Sequence, residues 1–132
     1  MGLSPEETAD IINYRLDKSK QTIKEAKDNA ALGNWNLTVN RLYYAVFYIA
    51  LALNLRNNDT AKTHNGTYNL FNRKYIATGI FTKEEGRLYR QLFTMRHTGD
   101  YDDLFDWTED DVMPLIPMVE RLLEKMKSLM DK

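Results

Sequence analysis

The chain has 132 residues, 43% hydrophobic and 28% charged, with no cysteine and a formal net charge of −1. That length suits one domain with a real core, and the missing cysteines exclude a disulfide framework or a thiolate metal site. No apolar run nears the roughly 18 residues that a membrane span needs, and MGLSPEETAD has neither the basic nor the apolar part of a signal peptide, so the expected compartment is the cytoplasm.

Ser4-Pro5-Glu6-Glu7 predicts a helix start, with a Ser cap, Pro at the first helical position and Glu where a capping box wants it. Ile12, Leu16, Ser19, Ile23, Ala26 and Ala30 then recur at helical spacing to about Leu32, and Gly33 punctuates. The next segment, NWNLTVNRLYYAVFYIALALNL, is apolar nearly all round, which predicts a helix in the middle of a bundle. Arg41 would be costly to bury there without a partner, so it needs an acid or a cleft. Leu37, Arg41, Tyr44 and Tyr48 share one stripe of that helix.

RNNDTAK is a polar connection, THNGTYNLFNRKYI predicts a shorter helix and ATGIF a turn. Thr82-Lys83-Glu84-Glu85 is a second capping box, followed by Leu88, Leu92 and Arg96 on one face and by Gly99, read as the stop. Val112, Leu115, Ile116, Val119, Leu122, Leu123 and Met126 predict the last helix. Pro114 and Pro117 leave two alternatives for its start: a continuous helix from about Asp111, or a separate turn over 108–113 with a kink. No strand pattern competes. The expected fold is all-α, an antiparallel up-and-down bundle of four long helices plus one short helix, as a single domain over 1–132.

Charge is unevenly placed. From Arg56 to Arg96 there are eight basic residues against three acids, and from Asp100 to Asp111 seven acids and no base. A basic segment can attract phosphates on a nearly neutral molecule; the plainer alternative is solvated faces that complement each other or a second subunit. The acidic run reads as a solvated loop or as a docking patch for a basic partner. Glu-x-x-His, the motif of bundles that house carboxylate-bridged metals, is absent: Ala61 and Thr94 precede His64 and His97 by three. With no Walker loop and no GxGxxG either, no metal or cofactor is expected.

RLYYAVFYIALALNL, then AKTHNGTYNLFNRKYIATGIF, then RQLFTMRHTGDYDD resemble the HEPN family of bacterial and archaeal helical domains. The most specific pieces are Arg41-Leu42-Tyr43-Tyr44-Ala45, Lys62-Thr63-His64, Leu70-Phe71, and Arg96 with Gly99-Asp100-Tyr101. The resemblance implies a four- or five-helix bundle that pairs as a two-fold homodimer. It also implies work beside a minimal nucleotidyltransferase in toxin–antitoxin or defence systems, or metal-independent endoribonuclease activity. Active members separate an Arg from a His by four to six residues. Counted from Arg96 those positions are Tyr101, Asp102 and Asp103, so the arginine matches and the histidine does not.

Metal-free RNA cleavage needs a proton-transfer group and a group that stabilises charge on phosphate. Arg96 supplies only the second, because a guanidinium stays protonated. The expectation is therefore a dimeric module that binds a partner protein, a nucleotide or nucleic acid through Arg41, Tyr44, Lys62, His64, Arg96, Asp100 and Tyr101, without turnover. The alternative is an endoribonuclease using Arg96 with His97, His64 or Tyr101. A structural role for the segment pairs Asp100 with Arg96 at i, i+4, with Tyr101 packing its ring and donating its hydroxyl.

Overall fold

A computed structural model describes residues 2–61, 63–102 and 104–131. Its helices are α1 (Pro5–Ala31), α2 (Trp35–Arg56), α3 (His64–Phe71), α4 (Lys83–Tyr101), α5 (Glu109–Val112) and α6 (Leu115–Ser128). A π-helical turn, Asn72–Ile76, extends α3, and a 3-10 turn, Leu129–Asp131, closes the chain after α6. Among the described residues there is no strand, and no helix is long and apolar enough to cross a membrane.

The first helix begins where the sequence placed it. Ser4 Oγ accepts from the Glu7 amide and Glu7 Oε1 from the Ser4 amide, each at 3.0 Å, which satisfies two amides that a helix start leaves without partners. Gly33, at φ +75°, turns the chain out of α1, a conformation that costs glycine little. α2 is the central rod and packs against all five other helices. Val39, Leu42, Tyr43, Ala45, Val46, Ile49, Ala50, Ala52 and Leu53 of α2 are all buried. Each such Val, Leu or Ile contributes roughly 1.5–3 kcal/mol of burial free energy.

Directions follow from side-chain pairs. Arg15 reaches the Leu51 carbonyl, Ser19 donates to the Ala45 carbonyl at 2.6 Å and Arg41 pairs with Glu25, so α1 and α2 run antiparallel. Asn40 meets Asp100 while Tyr43 packs on Phe93 and Tyr89, so α4 is antiparallel to α2. The Lys125–Glu85 ion pair at 2.7 Å sets α6 against α4.

The end of α4 departs from the sequence expectation. Gly99 does not stop the helix, which runs on to Tyr101. A Cβ on Gly99 would lie 3.3 Å from Nε1 of Trp107, so the missing side chain makes room for an indole. That Nε1 donates to the Met95 carbonyl at 3.1 Å. At Pro114 the second alternative holds: α5 is a separate turn, capped by Thr108 and Asp111, before α6 starts at Leu115. Pro117 falls in the first turn of α6, where an absent amide costs no intrahelical bond.

Candidate functional site

The apolar stripe of α2 that carries Arg41 also carries Tyr44, and the fold gathers the charged candidates around that ring. The Arg41 guanidinium lies 5.3 Å from its centroid and that of Arg96 5.8 Å away. The His64 imidazole stands edge-on at 5.7 Å. Three helices supply these groups: α2 gives Arg41 and Tyr44, α3 gives His64 at its first position, and α4 gives Arg96. Thr63 caps α3 by accepting from the Gly66 amide at 2.9 Å, which fixes where His64 enters.

Arg96 is only 8% exposed. It rests over Tyr43 at 5.0 Å, and among the described residues its acidic neighbour is Asp100, 3.8 Å from Nη1. That is too long for a strong hydrogen bond. Its Nε is buried with no hydrogen-bond partner among the described residues. The guanidinium is thus held by aromatic faces, an attraction of about 0.5–2 kcal/mol each, while the described residues leave its donors largely unused.

Arg41 is better satisfied. It donates to Asn40 Oδ1 from Nη2 at 2.7 Å and from Nε at 3.0 Å, and Nη1 pairs with Glu25 at 3.2 Å. Asn40 in turn donates to Asp100 at 3.0 Å. A chain of contacts, Glu25–Arg41–Asn40–Asp100–Arg96, therefore joins the two arginines. The acid that Arg41 needs is Glu25, while Asp100 serves Arg96 and Asn40.

His64 stacks on Phe47 at 4.3 Å and meets the Tyr43 hydroxyl through Nδ1 at 2.7 Å. Burial, then the Arg96 charge, pull its pKa below the ordinary imidazole value, so the ring is neutral at pH 7. Burial pushes the Tyr43 phenol well up, so Tyr43 keeps its proton. His64 Nδ1 is the partner found for that hydroxyl. Where the hydroxyl donates to Nδ1, the imidazole proton sits on Nε2. A guanidinium and an imidazole thus lie beside one aromatic ring.

Of the remaining candidates, Asp100 joins the corner and Tyr101 does not. Tyr101 is 71% exposed and packs its ring on that of His97 at 4.8 Å. Lys62 lies outside the described residues. Sequence reasoning missed Asn40, Glu25 and Phe47; an Asn directly before a partly buried Arg was the one available signal. Among the described residues, no three His, Cys, Asp or Glu side chains are grouped to hold a metal ion.

An up-and-down helical bundle with an arginine–tyrosine–imidazole corner defines the class. Residues 12–129 match the HEPN domain. A protein of Thermotoga maritima named "UPF0332 protein" is 33% identical over 121 residues, 92% of each chain. A Gloeobacter violaceus protein, "UPF0332 protein glr0978", is 35% identical over 65% of this chain and 68% of its own. A Methanocaldococcus jannaschii protein named "Putative toxin MJ0142" is 23% identical over 85% of this chain and 76% of its own. The chain belongs to the HEPN family.

Proposed function

We propose that this chain is a toxin-type HEPN module that binds a phosphate group of RNA or of a nucleotide at the Tyr44-centred corner, without cutting it. The observation that carries this reading is the Arg96 guanidinium, nearly buried yet, among the described residues, with its Nε unpartnered and its acid at 3.8 Å. A buried donor left unmade costs about 1–3 kcal/mol, more for a charged group, and a phosphate oxygen would recover that cost. Planar guanidinium groups suit phosphate oxygens, and Nε2–H of His64 adds a donor. The names of the archaeal relatives support the toxin reading. A two-fold homodimer and a minimal nucleotidyltransferase partner are what the family resemblance implies, and both belong to this proposal.

The test is a fluorescently labelled single-stranded RNA, in chelator, read by anisotropy and on a denaturing gel. Wild type should bind and leave the RNA intact. Arg96→Met and Arg41→Ala should each weaken binding about tenfold or more, a loss of ~1.4 kcal/mol. Unchanged affinity in both variants, or no binding by wild type, overturns the proposal. One observation favours a second reading: His64 and Arg96 share the rings of Tyr43 and Tyr44, so an imidazole stands beside the phosphate-stabilising group after all. RNA cleavage in chelator that disappears in His64→Ala would establish the endoribonuclease.

A further inference from the structure

At one end of the bundle the turn from α1 to α2 faces the loop between α4 and α5. Two cavities adjoin there and share Gly33 and Trp35. One, of about 320 Å³, is walled by Leu37, Asp106 and Trp107; the other, of about 590 Å³, by Leu32, Glu109 and Met113. The apolar groups on these walls face solvent: Leu32 is 75% exposed, Leu37 54% and Met113 43%. Leu104, from the loop that carries Asp106, is 93% exposed. Apolar surface gathered in this way does nothing for the bundle core and is the mark of an interaction site.

The rim is acidic. Asp106 and Glu109 stand on the cavity walls and Asp110 follows in the first turn of α5, and none of the three is ion-paired to a described residue. The basic side chain on the wall of the larger cavity, Lys27, is held by Glu120 at 2.5 Å. This charge decides among occupants. A nucleic acid or an anionic lipid surface would be repelled, and a two-fold contact between copies of this face would set acids against acids.

We infer that this end of the bundle docks a basic amphipathic segment of a partner protein, with apolar anchors in the two cavities and Lys or Arg against Asp106 and Glu109. The inference stands apart from the phosphate reading, which uses different side chains and the opposite charge.

Trp35 and Trp107 are the two tryptophans of the chain and both wall these cavities, so tryptophan emission reports occupancy directly. The probe is a tryptophan-free peptide of about 14 residues, Leu and Lys at helical spacing, against the same peptide with Glu for Lys. The Lys peptide should change the emission saturably, with Kd of about 1–100 µM, and the Glu peptide should not. Met113→Glu, and the double variant Asp106→Lys with Glu109→Lys, should each weaken binding about tenfold or more while circular dichroism stays that of wild type. No response, equal response to both peptides, or full affinity in folded variants overturns the inference. A shift on concentrating the protein alone would assign the face to a second copy and also overturn it.

Discussion

The Tyr43 hydroxyl and the His64 imidazole meet at 2.7 Å although 21 positions separate them in the chain. That one bond fixes the imidazole orientation beside Tyr44, and with it the face that His64 turns towards Arg96.

The histidine should therefore titrate low. In an NMR titration the His64 midpoint should fall below 6.5, and Arg96→Met should raise it, because the Arg96 charge is one of the two causes of the shift. The stability sign follows by linkage. A folded pKa below the unfolded one means that the unfolded chain binds more protons between the two values. The contribution of His64 is complete above pH ~6.5 and is lost as pH falls from there towards the folded pKa. Tyr43→Phe should cost about 0.5–1.5 kcal/mol in chemical denaturation, the worth of one intramolecular hydrogen bond.

Arg96 separates a binding role from a structural one. Met fills much of the same volume without a desolvated charge, and such replacements of buried ions are often neutral or stabilising. Arg96→Met should leave stability unchanged or raise it by about 1 kcal/mol while RNA binding is lost. A fall of roughly 3 kcal/mol or more would mark the guanidinium as a structural ion that Asp100 satisfies.

Two glycines in α4 should both resist alanine, though alanine favours a helix over glycine by about 1 kcal/mol. At Gly86 a new Cβ would meet three atoms of Ile76 at 3.1–3.2 Å, and β-branched Ile76 has little rotamer freedom to retreat. Gly86→Ala should destabilise by about 1–2 kcal/mol. At Gly99 the neighbour is Trp107, pinned at Nε1 by Met95 and at its amide by Asn36. Gly99→Ala should cost about 1 kcal/mol and shift tryptophan emission, which Gly86→Ala should not.

Acid should loosen the contact of α4 with α6. Burial would raise the Glu85 pKa, but Lys125 and the Thr82 cap outweigh it and hold the carboxyl below its usual value. Its stabilisation is present above pH ~4.5 and is lost as pH falls through the folded value. Glu85→Gln should flatten that part of the stability–pH curve.

The long helices were legible because their signals are local: Ser4 and Thr82 cap as their neighbours dictate, and the apolar girth of α2 could only belong at the centre. The short segments were harder. Gly99 looks like a stop in sequence because nothing local tells of Trp107, eight positions on, folding back over it. Pro114 was legible as a constraint but not as a choice between its two outcomes. At the site, Arg41 and Arg96 stood out as charges on apolar faces, and Asp100 by its helical spacing from Arg96. The place of His64 beside Tyr44 depends on how α3 docks against α2, a tertiary fact with no periodic signature. The local count from Arg96 to Tyr101, Asp102 and Asp103 finds no histidine, and the imidazole that lies near Tyr44 and Arg96 enters from α3.

Trp107 donates its indole N–H to the carbonyl of Met95, the residue just before Arg96. The two ends of this indole thus answer to different masters: one wall of the acidic cradle, and the backbone that aims the guanidinium. A segment that shifted the indole would tug on the proposed anion site, and since linkage is reciprocal, an anion seated there would alter how firmly the inferred docking site grips. Single occupancy at either place would then tune the other, with one side chain as the relay.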